Sequence, residues 1–148
     1  MSEKKSWDVI VIGGGPAGST TARYLAEGGV DVLVIDGRDP IGTPLQCGEL
    51  VPTNEEMQRL CPKVPDIDDL LRTPGHAISR QTSEMHLVPP SGKPLRFQFE
   101  GYMLNRVAHD EALVDLAKSR GAKFLVNSRV DSIEAVSYTH LRAHETRI

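Results

Sequence analysis

With 148 residues, 39% of them hydrophobic and 25% charged, the chain has the composition of one globular domain that buries a core. A formal net charge of −3 argues against nucleic-acid binding, and Cys47 and Cys61 form no CxxC pair, which predicts free thiols and no metal site. No apolar run approaches the roughly 20 residues that span a bilayer, and the N-terminal MSEKKSW lacks a signal peptide's apolar stretch, so a cytoplasmic or peripherally membrane-associated protein is expected.

The first elements are predicted to be a strand, a helix and a second strand. Residues 7–12 (WDVIVI) and 30–35 (VDVLVI) are apolar runs rich in β-branched residues, the pattern of strands buried on both faces of a parallel sheet. Between them, small and apolar residues recur at helical spacing over residues 16–27, and Gly28 and Gly29 end the helix. A right-handed βαβ unit in an α/β, Rossmann-like fold follows.

Residues 37–75 are rich in proline, glycine and acidic residues, which predicts a long functional loop. One helix is expected inside it, because Thr53 and Glu56 stand at capping-box spacing. Three weaker strands are predicted at residues 76–79, 84–88 and 95–99, the last two flanking the turn PPSGKP. They predict a small antiparallel β element, and about residues 76–104 are expected to be the start of an inserted β element.

The C-terminal third is predicted to continue the α/β pattern. Asn105 can cap a helix that reaches about Ser119, and Gly121 ends it. Strands are expected at residues 123–126 and 130–136. The last twelve residues, SYTHLRAHETRI, have no strand alternation and no apolar helical face, and they resemble translated adapter read-through. Residues 137–148 are therefore expected to be a non-native tail, and residues 1–136 to carry the fold.

The glycine-rich segment between the first strand and the first helix is the main functional motif. In a GxGxxG motif Gly13 permits the tight turn, Gly15 lets the backbone approach a pyrophosphate, and Gly18 allows the helix to pack on the sheet. Asp36, 23 residues after Gly13, ends the second strand, where a carboxylate accepts hydrogen bonds from ribose hydroxyls. An adenine dinucleotide site is predicted, although a ligand-free glycine turn is the alternative. The motif alone does not separate FAD from NAD.

Three segments together resemble the geranylgeranyl reductases. They are DVIVIGGGPAGSTTARYLAEGGVDVLVID, the loop PLQCGEL, and GYMLNRVAHDEALVDLAKSRGAKFLVNSRV, and the resemblance covers about residues 7–136. Members of this family are FAD-dependent, share the fold of the aromatic hydroxylases, and reduce prenyl double bonds in archaeal lipids and related isoprenoids. The resemblance therefore implies FAD as the cofactor.

The resemblance also implies roles for individual residues. Cys47 would contact the flavin and would face the isoalloxazine and the substrate as the candidate catalytic residue; the alternative is a small apolar residue that fills a packed loop. Arg106 would reach the flavin's phosphate or ribityl region, or else would be a solvated arginine at a helix start. The full set of implied cofactor-binding residues is Gly13, Gly15, Ala17, Gly18, Asp36, Arg38, Cys47, Gly48, Leu50, Arg106 and Val130.

The function implied is hydride transfer from reduced FAD to the double bonds of a prenyl lipid or another isoprenoid. An external electron donor, NAD(P)H or ferredoxin, is then required, and the whole enzyme would contact the membrane peripherally. A flavin monooxygenase or halogenase of the same fold is the nearest alternative. The family continues with a second flavin-binding segment and a substrate-binding domain that this sequence lacks, so an N-terminal fragment with an incomplete domain, inactive alone, is expected. A truncated product that binds nothing firmly is the remaining alternative.

Overall fold

A computed structural model of the chain describes residues 6–45 and 47–135. Gln46 of the PLQCGEL segment, Val136 and the tail at residues 137–148 lie outside the described residues, and so do the expectations placed on them. The described elements, in chain order, are β1 (Val9–Ile12), α1 (Pro16–Glu27), β2 (Val32–Ile35), β3 (Leu50–Pro52), α2 (Asn54–Leu60), α3 (Ile67–Leu70), a 3-10 turn (Gly75–Ala77), β4 (Ile78–Leu87), β5 (Leu95–Leu104), α4 (Arg106–Ser119) and β6 (Lys123–Leu125).

The predicted βαβ unit is confirmed, and it forms one of the two sheets seen in the described residues. Strands β1, β2 and β6 run parallel, with β2 in the middle, so that Val9 lies beside Val32 and Leu33 beside Lys123. Helix α1 begins and ends at the predicted residues, because Pro16 suits a first helical position and Gly29 takes a left-handed φ of 79° after the last turn.

The core lies on one face of the parallel sheet, where α1 and α4 pack side by side. Its buried residues are Ala22, Val32, Val34, Ala117 and Ala122. The prediction that the first strand is buried on both faces is wrong within the described residues, because Ile10 and Ile12 on the opposite face are 51% and 54% exposed.

The second sheet is antiparallel, in the order β3, β5, β4, and confirms the predicted β element. The two strands expected at residues 76–79 and 84–88 are one strand, β4, with register shifts at Ile78/Arg80 and Thr82/Glu84. The polar run between them has no alternating pattern, but pairing with β5 keeps it extended. Strand β3 was not predicted; it pairs Leu50 with Met103 at the other edge of β5.

Two helix starts have the predicted side-chain caps. The Thr53 hydroxyl accepts a hydrogen bond from the Glu56 N–H at 3.2 Å, and Asn105 Oδ1 accepts one from the Ala108 N–H at 3.2 Å. These bonds satisfy N–H groups that have no partner within the helix. Helices α2 and α4 therefore begin where the capping residues predict.

The strand predicted at residues 130–136 is wrong for residues 130–135, which take no regular structure. A strand is stable only where a neighbour completes its backbone hydrogen bonds, and no described segment pairs with these residues. Ile133, in the middle of the segment, is 79% exposed. Within residues 6–45 and 47–135, no helix is long and apolar enough to cross a membrane.

Candidate functional site

The glycine loop joins β1 to α1, and its three motif glycines have different surroundings. Gly13 has a φ of 97°, in the region that favours glycine. A Cβ on Gly18 would lie 1.8 Å from the Gly13 carbonyl oxygen, so only glycine lets the helix approach the strand this closely. A Cβ on Gly15 would meet nothing within 4 Å. The backbone at Gly15 is therefore open to a ligand, whereas Gly18 is closed by packing.

Gly14, which the sequence analysis did not single out, holds the loop in shape. Its N–H donates to Asp36 Oδ2 at 2.7 Å, and its carbonyl oxygen accepts from the Ser19 hydroxyl at 2.7 Å. Asp36 and Ser19 are both buried. A Cβ on Gly14 would also lie 2.6 Å from Ile41 Cδ1. Packing and buried hydrogen bonds thus fix the loop without a ligand.

Asp36 lies at the end of β2, behind the loop. Besides the bond from Gly14, its Oδ1 accepts a hydrogen bond from the Arg38 N–H at 2.8 Å, and the Arg38 Nε lies 3.5 Å from the same oxygen. The residue is 4% exposed. Each carboxylate oxygen can accept a second hydrogen bond, so Asp36 keeps acceptor capacity for a ligand.

A cleft of about 170 Å³ opens at the start of α1. It joins the glycine loop to the loop after β2 and to the first turn of α4. Its lining residues are Gly15, Pro16, Arg38, Gly42, Pro44, Leu45, Cys47, Arg106 and Asp110. Gly15, Arg38, Cys47 and Arg106, all expected at the cofactor, are therefore brought together although they come from three parts of the chain.

Arg106 and Asp110 form a two-point ion pair at one wall of the cleft. Arg106 Nε donates to Asp110 Oδ1 at 3.2 Å, and Nη2 donates to Oδ2 at 3.0 Å. His109 Nδ1 lies 3.1 Å from Asp110 Oδ1. Burial alone would raise the pKa of Asp110, but the hydrogen bonds and charges of His109 and Arg106 outweigh it and hold the pKa below its ordinary value. The pKa of Arg106 is raised, and its hydrogen bond with Asp110 is the main cause. Both groups are charged at neutral pH.

Four other expected site residues, Ala17, Gly48, Leu50 and Val130, do not line this cleft. Ala17 is exposed in the first turn of α1, Gly48 is exposed in the loop before β3, and Leu50 is half-buried in β3. Val130 is half-buried in the segment after β6. Cys47 is exposed at the cleft, and its Sγ accepts a hydrogen bond from the Glu49 N–H at 3.4 Å.

Gly42 and Asp110 are site residues that sequence reasoning missed. Gly42 has a φ of 92°, and a Cβ on it would lie 2.9 Å from Asp110 Oδ2. The spacing of Arg106 and Asp110, four residues apart in a predicted helix, is the signal that could have identified the ion pair. No sequence signal places Gly42 on Asp110, because the contact is long-range.

The arrangement suits an anionic group. Helix α1 begins at the cleft, where Gly15 and Pro16 are lining residues, so the positive end of its dipole lies there, and the guanidinium groups of Arg38 and Arg106 supply hydrogen-bond donors. Small-molecule pockets usually measure about 300 to 1,000 Å³, so a cleft of about 170 Å³ suits part of a dinucleotide, such as its diphosphate. The open Gly15 and the guanidinium donors of Arg38 and Arg106 fit that group.

Comparisons with known proteins place this loop in a flavoprotein context. The family model of the FAD dependent oxidoreductases matches residues 8–48. An uncharacterized protein in the nifH2 5′ region of Methanosarcina barkeri is 33% identical over 137 residues, which cover 93% of this chain and 74% of that protein. The digeranylgeranylglycerophospholipid reductase of Picrophilus torridus is 34% identical over 86% of this chain. The chain spans about 32% of that reductase's length.

Solved structures agree with the fold. A geranylgeranyl bacteriochlorophyll reductase-like protein of Thermoplasma acidophilum matches with a TM-score of 0.67 and 33% identity, over 82% of this chain and 30% of that protein. The halogenase PltM matches with a TM-score of 0.61 and 23% identity, over 88% of this chain and 30% of the halogenase. At that identity the halogenase match concerns the fold alone.

Proposed function

Because the chain belongs to the geranylgeranyl reductase family of FAD-dependent oxidoreductases, we propose that its cleft holds the diphosphate of FAD in a prenyl-lipid reductase. The observation that carries this proposal is the meeting of Gly15, the α1 N-terminus and Arg106 in one cleft. When bound, reduced FAD supplies a hydride for an isoprenoid double bond.

The chain's own residues would bind and orient the cofactor. Gly13, Gly15 and Gly18 would shape the loop around the pyrophosphate, with the Ala17 N–H in the first turn of α1 among the donors. Arg106 would donate to the phosphate or ribityl oxygens. These groups are fixed before binding, which lowers the entropy lost when the ligand is ordered.

The remaining expected residues would contact the two ends of the cofactor. Asp36 would accept hydrogen bonds from the ribose, Arg38 and the Val130 backbone would lie beside the adenine, and Gly48 and Leu50 would contact the flavin through backbone groups. Cys47 would face the isoalloxazine and the substrate. We also propose that residues 1–136 are the N-terminal part of the FAD-binding domain and that about residues 76–104 are the start of an inserted β element.

A prenyl lipid or another isoprenoid is the proposed substrate, with NAD(P)H or ferredoxin as the external electron donor and peripheral contact with a membrane. The relatives that support this substrate are named for digeranylgeranylglycerophospholipid reduction. A halogenase or monooxygenase is the competing function, because the halogenase neighbours share the fold and the fold alone does not separate the two reactions.

The test uses the whole protein encoded by the reading frame that contains this sequence. We expect the purified protein to carry FAD and, with dithionite as reductant, to saturate geranylgeranyl lipid double bonds, as measured by mass spectrometry. A parallel reaction supplies a phenolic substrate, halide and oxygen. A flavin-loaded protein that halogenates or hydroxylates the phenol and leaves the lipid unchanged would contradict the reductase proposal.

A further inference from the structure

Asp110 is buried at the cleft although it has no assigned role in binding or catalysis. Its side chain is 1% exposed, whereas the side chain of its partner Arg106 is 19% exposed. The two residues are one helical turn apart on α4, so the helix backbone fixes the distance between them. A carboxylate this buried needs a charged partner, and Arg106 provides it with two hydrogen bonds.

The ion pair limits the directions that the Arg106 guanidinium can take. A guanidinium has five N–H donors, and Asp110 uses one on Nε and one on Nη2. Asp110 does not use the other three, and the Cys47 side chain at the cleft is a further partner of the Arg106 guanidinium. Because an arginine side chain is long and loses much rotamer freedom when it is ordered, an arginine that is already held loses less on binding a ligand.

The same carboxylate also supports the opposite wall of the cleft. Gly42, in the loop after β2, packs so closely that an added Cβ would lie 2.9 Å from Asp110 Oδ2 and 3.2 Å from Asp110 Cβ. His109 contributes a further polar contact to Asp110 Oδ1 at 3.1 Å. Asp110 thus touches both Arg106 on α4 and the loop that carries Arg38 and Cys47.

From this geometry we infer that Asp110 is a positioning residue, which holds Arg106 in the orientation that binds the diphosphate of the cofactor. The inference rests on the proposed function. Asp110 itself does not touch the ligand; it acts through Arg106.

The test is a double-mutant cycle on FAD affinity, measured by quenching of flavin fluorescence with the 148-residue chain. Asp110→Asn is expected to weaken binding roughly fivefold to tenfold, the cost of ordering one released arginine. In an Arg106→Gln background, Asp110→Asn is expected to change the affinity little, because nothing remains to be positioned. Equal losses in both backgrounds would overturn the inference. Asp115→Asn, an exposed aspartate on the same helix, is the matched control and should leave the affinity unchanged.

A second measurement needs neither FAD nor a stable Asp110 variant. In the wild-type chain, the Arg106 Nε–H signal in a ¹H–¹⁵N NMR spectrum is expected to exchange with water more slowly than that of the exposed Arg96. Equal exchange rates would overturn the inference. If the wild-type chain shows slow exchange and binds no FAD, the proposed function fails while the held arginine stands, so the two failures are distinguishable.

Discussion

Asp36 receives a hydrogen bond from the backbone on each of its two carboxylate oxygens, from Gly14 at 2.7 Å and from Arg38 at 2.8 Å. The position of Asp36 after the glycine motif predicts that it binds the ribose, and this role stays a prediction. The structure adds that Asp36 shapes the glycine loop. The two roles have different consequences for ligand binding.

A thermodynamic cycle that combines an Asp36 variant with a ligand lacking the ribose hydroxyls separates ribose binding from support of the glycine loop. We expect ADP to bind the wild-type chain more tightly than 2′,3′-dideoxy-ADP, and Asp36→Asn to reduce this preference by about 1 kcal/mol, the size of one hydrogen bond. Isothermal titration of both ligands against both proteins gives the coupling. If Asp36→Asn weakened the two ligands equally, Asp36 would act only through the loop.

Asp110 makes stability depend on pH in a defined direction. Hydrogen bonds and charges from His109 and Arg106 overcome the effect of burial and lower the pKa of Asp110 in the folded chain, whereas the unfolded value is about 3.9. The ionised carboxylate therefore stabilises the fold above about pH 4, and this contribution is lost as the pH falls through the lower folded pKa.

The difference in unfolding free energy between wild type and Asp110→Asn measures that contribution. We expect about 2 to 3 kcal/mol at pH 7, because the substitution leaves Arg106 without its charged partner. In urea titrations the difference should shrink once the pH falls below about 4. A difference that stayed constant from pH 7 to pH 2.5, or that grew in acid, would contradict the assignment.

At the scale of elements, the short helix α3 is tied to α1 by a cluster centred on Asp69. Arg23 Nη1 donates to Asp69 Oδ1 at 3.0 Å, and the Tyr24 hydroxyl donates to Oδ2 at 2.7 Å. These hydrogen bonds lower the pKa of Asp69, and the bond from Arg23 has the larger effect. Arg23 is buried, and its Nε has no hydrogen-bond partner within the described residues. Arg23 therefore depends on Asp69 for compensation of its charge.

Asp69→Asn should destabilise the chain and release α3. We expect a loss of about 2 kcal/mol in the free energy of unfolding, at the low end for a stranded buried charge because Asp69 itself is 38% exposed. Amide hydrogen exchange across residues 61–73 should rise in parallel. The neighbouring Asp68→Asn, which neutralises the exposed acceptor of the Gln58 side-chain hydrogen bond, is the control. Similar effects of the two variants would show that the Arg23 contact carries no special weight.

The elements also show what the sequence could predict. Helices α1, α2 and α4 were located from local signals, namely Pro16, Thr53 and Asn105 at their starts. Strand β3 and the unbroken β4 were missed because β5 holds both, and a cross-strand partner is not visible in a local pattern. The prediction of a strand at residues 130–135 was wrong because no described strand pairs with this segment, which a local pattern also does not reveal.

At the scale of the whole molecule, the cleft is assembled from three distant segments, and only part of it was predictable. Glycine spacing identified the loop, and family resemblance identified Cys47 and Arg106. Gly42 and Asp110 were missed because their contact joins the loop after β2 to α4, 68 residues apart in sequence. The motif therefore indicates the ligand class, whereas the held guanidinium is a product of the tertiary structure.

In the proposed function, the open backbone at Gly15 receives the cofactor's diphosphate. A Cβ at Gly15 or at Gly75 would meet nothing within 4 Å, and neither residue has a positive φ, so Gly15→Val and Gly75→Val form a matched pair. Both variants should unfold near the wild-type temperature. The decisive measurement is the FAD affinity of the three proteins by flavin fluorescence titration. We predict that wild type and Gly75→Val bind alike, while Gly15→Val binds about ten- to a hundredfold more weakly because the valine occupies the ligand's place. Unchanged FAD affinity in a folded Gly15→Val would show that the diphosphate does not bind at Gly15.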